Sequence, residues 1–140
     1  TTFIGRSRCI NRTSFSDWIV QALRNGESLS VFDDIFFSPL NIKTLALMIE
    51  RVVCTQPHGV FNLGSREGMS KAQFAFALAE AMDLSTKCIN RTISTASLAL
   101  DAYRPKDMRM DSSLFQCAMG LQLPTLIDQL HRLSCSFLMN

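Results

Sequence analysis

No Cys-x-x-Cys pair occurs in the 140 residues, and the five cysteines (Cys9, Cys54, Cys88, Cys117, Cys135) are odd in number and widely scattered. That spacing argues against a zinc site and predicts reduced, mostly packing cysteines in a cytoplasmic protein. Glycine is scarce, and positions 5, 26, 59, 64, 68 and 120 never gather into three glycines behind a strand, so no dinucleotide fingerprint is present. There is no Walker motif and no nucleophile elbow. No apolar run approaches the length that spans a bilayer, and no signal peptide is visible, so no membrane partner is expected. The formal net charge of +2 is too small to argue for nucleic acid. The two histidines, His58 and His131, fall in a turn and on the polar side of a helix, and neither reads as catalytic or metal-binding. The single tyrosine, Tyr103, has Asp107 four residues later and so cannot supply a Tyr-x-x-x-Lys pair.

What is present describes one globular unit: 47% of the residues are apolar and 19% charged, on a chain of ordinary domain length. Thr1 to Gly5 opens on what reads as an interior strand without an initiator Met, which marks the chain as a piece of a longer protein. A polar loop, Arg6 to Arg12, follows. Ser14 with Asp17 forms an acidic capping box, and Phe15, Trp18, Ile19, Ala22 and Leu23 make an apolar stripe that stops at Asn25-Gly26. Trp18 reads as a core residue on that stripe.

The chain is organised around Ser28 to Asn41. Ser28 to Val31 alternates as a half-buried strand does, Asp33-Asp34 is a turn, Ile35-Phe36-Phe37 is a short apolar run, and Pro39 holds Ser38 extended. Asn41 then caps a helix whose inner residues are read as Ile42, Leu45, Ala46, Ile49, Val52 and Val53. Val60 to Gly64 is predicted as a short strand, and Gly64 to Gly68 as a turn. Ser70 starts a helix with Phe74, Ala75, Leu78, Ala79 and Met82 inside. Cys88 to Ile93 is a further strand. Asp111 caps a short helix ended by Gly120, and a last helix from near Pro124 buries Leu126, Ile127, Leu130 and Leu133. Strands alternating with helices make the fold class α/β or α+β, with no domain boundary inside residues 1–140.

Two basic loops remain as chemistry. Arg6, Arg8 and Arg12 stand in one, and Arg104, Lys106 and Arg109 in the other. A guanidinium fork suits phosphate, and two converging loops could hold a diphosphate.

The order of these motifs resembles the C-terminal portion of the extended short-chain dehydrogenase/reductases, the NAD(P)-dependent epimerase/dehydratase group. Within that group it is most similar to the dTDP-4-dehydrorhamnose reductases and their sugar-nucleotide-binding relatives. Thr1 to Gly5 resembles the Arg-Thr-x-x-x-Gly strand. Ser14-Phe15 stands where the family often has Asn-Phe. Asp34 with Ser38-Pro39 resembles the Asp-x-x-x-Ser-Pro bend, and Gly59 to Gly64 the Gly-x-Tyr/Phe-x-x-Gly segment. Ser70 to Leu78 resembles Ser-x-x-Glu/Gln-Phe-Ala, and Arg104-Pro105 with Asp111 resembles the Arg-Pro and Asp signature.

The resemblance implies an α/β, Rossmann-type protein whose N-terminal NAD(P)-binding core is missing here. Residues 1–140 would be the single substrate-binding region, and residues 1–5 a remaining strand of that core. It implies a nucleotide-sugar substrate held by Arg104, Ser38, Phe37, Ser14 and Arg6. It also implies NAD(P) as cofactor of the complete protein but not of this chain alone, and a catalytic Tyr-x-x-x-Lys lying outside it, so that the chain alone is inactive. The first strand and the apolar surfaces around Trp18 and Phe74 are expected to pack partly on the missing core. A homodimer is a candidate assembly. An epimerase or dehydratase of the same superfamily, or a non-catalytic nucleotide-sugar binder, stays open as the alternative.

Overall fold

The computed structural model describes residues 1–9, 11–94 and 105–138. Its elements run β1 (Phe3–Ile4), α1 (Phe15–Asn25), β2 (Leu29–Phe32), β3 (Phe36–Phe37), β4 (Leu40–Asn41), α2 (Ile42–Thr55), β5 (Met69–Ser70), α3 (Lys71–Ala81), β6 (Ile89–Thr92), β7 (Asp107–Met108), α4 (Ser113–Met119) and α5 (Leu126–Leu138). The strands form three small sheets. β1 pairs in parallel with β4, and β2 in parallel with β6; β3 lies between antiparallel β5 and parallel β7. Parallel partners need a crossover, and α3 supplies the one between β2 and β6.

The helix boundaries follow from capping chemistry. Ser14 accepts from the Asp17 backbone while Asp17 Oδ2 takes the Ser14 N–H, and Ser70 with Gln73 repeats the arrangement at α3. Gly26 and Gly120 close α1 and α4 in the left-handed conformation. The N-cap of α4 is Ser112, without a side-chain cap bond, rather than the expected Asp111, which stands one residue earlier and accepts the Ser113 N–H on Oδ1 at 2.9 Å.

The core lies between α3, α5 and β2. Phe74, Ala75, Leu78 and Ala79 of α3 are wholly buried, with Leu126, Leu130 and Leu133 of α5 and Leu29 of β2 against them. Phe15, Phe37 and Phe74 pack ring on ring, with centroids 5.3 to 6.0 Å apart. Burying a side chain such as Phe74 contributes about 1.5–3 kcal/mol.

Five expectations are corrected. Trp18 is half-exposed rather than core, leaning on the Phe15 ring at 6.0 Å, and Ile127 also faces outward. Phe74 is sealed in this chain's own core, so it offers no surface to another domain. Val60 to Gly64 is irregular: among the described residues it has no strand neighbour to pair with, and Val60 is 96% exposed. The cysteines are unpaired, but Cys9, Cys54, Cys117 and Cys135 are exposed rather than packing.

The largest departure concerns α2. Of its predicted inner residues only Leu45 is buried; Ile42, Ile49 and Val53 are 44%, 54% and 66% exposed. The helix packs on β1 and β4 along one narrow face, and the apolar stripe of Ile42, Ile49 and Val53 stays exposed.

Candidate functional site

The bend from Asp33 to Asn41 is held by side chains from four distant segments. Asp33 accepts from Ser70 Oγ at 2.8 Å and from Arg91 at 3.0 Å. Asp34 accepts from the Ser94 backbone and hydroxyl at 2.8 and 2.7 Å, and pairs with Lys106 Nζ at 2.9 Å. The Lys106 ammonium, followed by the Ser94 hydroxyl, holds the Asp34 carboxyl far below the usual carboxylate range. The Ser70 hydroxyl and then Arg91 lower Asp33. Beside them Asp107 is brought down to about 2, chiefly by its bonds from the Arg109 guanidinium.

Ser38 is locked from both sides. Its Oγ accepts the Met110 N–H at 2.9 Å, and its carbonyl accepts the Ser65 N–H at 3.0 Å. The chain can come this close because Gly64 and Gly68 have no side chains: a Cβ on either would stand 2.7 Å from the Ser38 or Phe37 carbonyl oxygen. The two glycines therefore serve close packing of the bend. Ser38 lines a cleft of about 490 Å³ together with Ser65, Arg66, Asp107, Arg109 and Ser112.

Arg6 and Ser14 belong to another part of the surface. They line a cleft of about 440 Å³ with Phe3, Gly5, Arg12 and Ile42. The Arg6 guanidinium also lies 5.9 Å from the centre of the Phe137 ring. An adjoining cleft of about 460 Å³ joins Arg6 to Arg8, Asn41 and Lys43.

Of the residues singled out from the sequence, then, Arg6 and Ser14 meet, and Ser38 lies in a separate cleft. The Phe37 ring is in the aromatic core. Arg104 lies outside the described residues. The two basic loops stay apart where they are described: Lys106 and Arg109 are engaged by Asp34 and Asp107, while Arg6, Arg8 and Arg12 surround the other clefts. Lys43 was not foreseen. Its signal was available, since α2 has a cation and no acid in its first turn, against the helix dipole.

Among the described residues no group of three or more His, Cys, Asp or Glu side chains could hold a metal ion. No helix among them is long and apolar enough to cross a membrane.

The short strands and helices form a mixed α/β fold shared with solved structures of a dTDP-4-dehydrorhamnose reductase and a dTDP-glucose 4,6-dehydratase. The chain belongs to the family described as RmlD substrate binding domain, whose pattern it matches over residues 8–137. A comparison with curated sequences returns no match.

Among solved structures, the dTDP-4-dehydrorhamnose reductase of Bacillus anthracis in complex with NADP superposes with a TM-score of 0.83 at 19% identity, over 99% of this chain and 46% of that one. The corresponding Clostridium acetobutylicum reductase gives 0.81 at 16%, over 92% and 45%. The UDP-N-acetylglucosamine 4-epimerase of Methanobrevibacter ruminantium, in complex with UDP-N-acetylmuramic acid, gives 0.74 at 14%, over 98% and 44%. The chain thus spans less than half the length of these relatives.

Proposed function

We propose that the chain is the nucleotide-sugar-binding part of an NAD(P)-dependent reductase acting on a dTDP-4-keto-6-deoxy sugar. The observation that carries this reading is the family match over residues 8–137. The fold alone does not separate reductase from epimerase, since the epimerase relative also reaches a TM-score of 0.74. In the complete protein the NAD(P) cofactor supplies hydride. The catalytic Tyr-x-x-x-Lys lies in the other half, and residues 1–5 are a strand of that half's sheet, so this chain alone is inactive. Unpaired cysteines suit a reducing compartment, and we place the protein in the cytoplasm.

Arg104, Ser38, Ser14, Arg6 and Phe37 are assigned to the substrate. Arg104 bonds the diphosphate, and Arg6 adds charge at the cleft it shares with Ser14. Ser38 fixes the wall of the bend, and Phe37 acts by anchoring that bend in the core. The test is substitution at Arg104 in the complete protein. Losing a charge-assisted contact costs about 1.5–3 kcal/mol, roughly 10- to 150-fold in affinity. Arg104→Ala weakens nucleotide-sugar binding by that order with cofactor affinity unchanged, and Arg104→Lys restores only part. An Ala variant that loses thermal stability yet binds substrate normally refutes the assignment.

A further inference from the structure

The cleft of about 460 Å³ at the end of β1 and the start of α2 is lined by Gly5, Arg6, Arg8, Asn41, Ile42 and Lys43, with no carboxylate on its wall. A Cβ on Gly5 would stand 2.9 Å from the Ile42 side chain, so the glycine lets the Arg6–Arg8 loop close against the helix start. Neither Arg8 nor Lys43 makes an ion pair among the described residues.

Asn41 is the informative group. It is 3% exposed, its Oδ1 accepts the Lys43 N–H at 3.0 Å, and its backbone N–H donates to Gln129 Oε1 at 2.8 Å. The cap fixes which way the amide points, because only the oxygen can accept from a backbone N–H. Nδ2 then has no hydrogen-bond partner among the described residues. The sealed polar atoms without a partner are Thr2 Oγ1, Thr44 Oγ1, Ser65 Oγ and Gln129 Nε2. Asn41 Nδ2 is not among them, so its donors reach the open space of the cleft. Those donors face the occupant of the cleft, and Arg8 and Lys43 add positive charge at the positive end of a 14-residue helix. An anion would accept from the one and offset the other.

We propose that this cleft binds a phosphate group, as a monoester or diphosphate, through Asn41 Nδ2, Arg8 and Lys43, with Arg6 at its edge. This site is separate from the Ser38 cleft and does not depend on the reductase reading. Since the reductase reading gives the nucleotide sugar's diphosphate to Arg104, the group here is either free inorganic phosphate or pyrophosphate, or a phosphate carried by a second nucleotide.

The test titrates the 140-residue chain with pyrophosphate, and separately with dTDP, following the amide signals of Gly5, Ile42 and Lys43 by NMR. Both ligands are expected to shift these signals, with binding weakened at higher salt. Asn41→Asp keeps a good helix cap but replaces the free donors with a negative charge, and Lys43→Gln removes one cation. Each should lower pyrophosphate affinity about tenfold or more with the thermal midpoint little changed. Pyrophosphate binding without dTDP binding keeps the anion site and rejects the nucleotide as its source. No shift at these amides, or variants that bind as tightly as the parent chain, overturns the proposal.

Discussion

At the scale of single residues, the acidic groups that hold the bend make its stability depend on pH. Asp34 is held low by Lys106 and Ser94, Asp33 by Ser70 and Arg91, and Asp107 is brought to about 2 by Arg109. Each carboxyl titrates lower in the folded chain than its unfolded value of about 3.9. Each therefore adds stability that is present above that unfolded value and is lost as pH falls through the lower folded one, which for Asp107 is about 2. Thermal melts between pH 2 and 5 should show the midpoint falling with pH. Lys106→Met should flatten part of that slope by removing the first partner of Asp34; an unchanged slope would detach the effect from this ion pair. Ser14 presents a different case. Its hydroxyl donates to Asp17 Oδ2 at 2.7 Å and accepts from the Asp17 N–H at 3.1 Å. Ser14→Ala is expected to cost about 1 kcal/mol of stability, as lost helix caps do. Equal stability by urea denaturation would show the cap to be idle.

Secondary-structure elements show where sequence reading succeeds and where it stops. Caps are local chemistry, so Ser14, Asn41 and Ser70 are legible, and the periodicity of α3 picks out Phe74, Ala75, Leu78 and Ala79 but misses the equally buried Ala72. The period of α2 was equally clear, but a period says only that a face is apolar, not that anything lies on it. Ile42, Ala46, Ile49 and Val53 follow one another along an uncovered stripe, with Phe3 at 61% exposure at the end of neighbouring β1. Val60 to Gly64 failed as a strand for the same reason, since pairing needs a neighbour that the segment itself cannot specify. The site was only half legible: arginines stand out in a sequence, whereas the meeting of Arg8 with Lys43 depends on the β1–β4 pairing. We expect the α2 stripe to be the face that the remainder of the relatives' length covers. In the 140-residue chain alone, Ile49→Asp with Val53→Asp should then reduce self-association in sedimentation without lowering the thermal midpoint. A folded, monomeric parent chain at high concentration would argue against a covered face, because exposed apolar stripes of this kind drive association.

For the molecule as a whole, the order of motifs carried more than any one motif. Thr1–Gly5, the Asp34 to Pro39 bend, the Ser70 helix and Asp111 each have ordinary structural explanations. Together, in sequence, they matched the family that the comparison over residues 8–137 then showed. The central claim is that these residues form a surface for a nucleotide sugar. The most direct measurement is calorimetric titration of the complete protein with a dTDP-linked 6-deoxy sugar, with its cofactor present and with the unlinked sugar as control. The account predicts saturable one-to-one binding of the dTDP-linked sugar, no heat from the unlinked sugar, and an affinity that falls at least tenfold in Arg104→Ala. A folded complete protein that gives no saturable signal with the dTDP-linked sugar would contradict it.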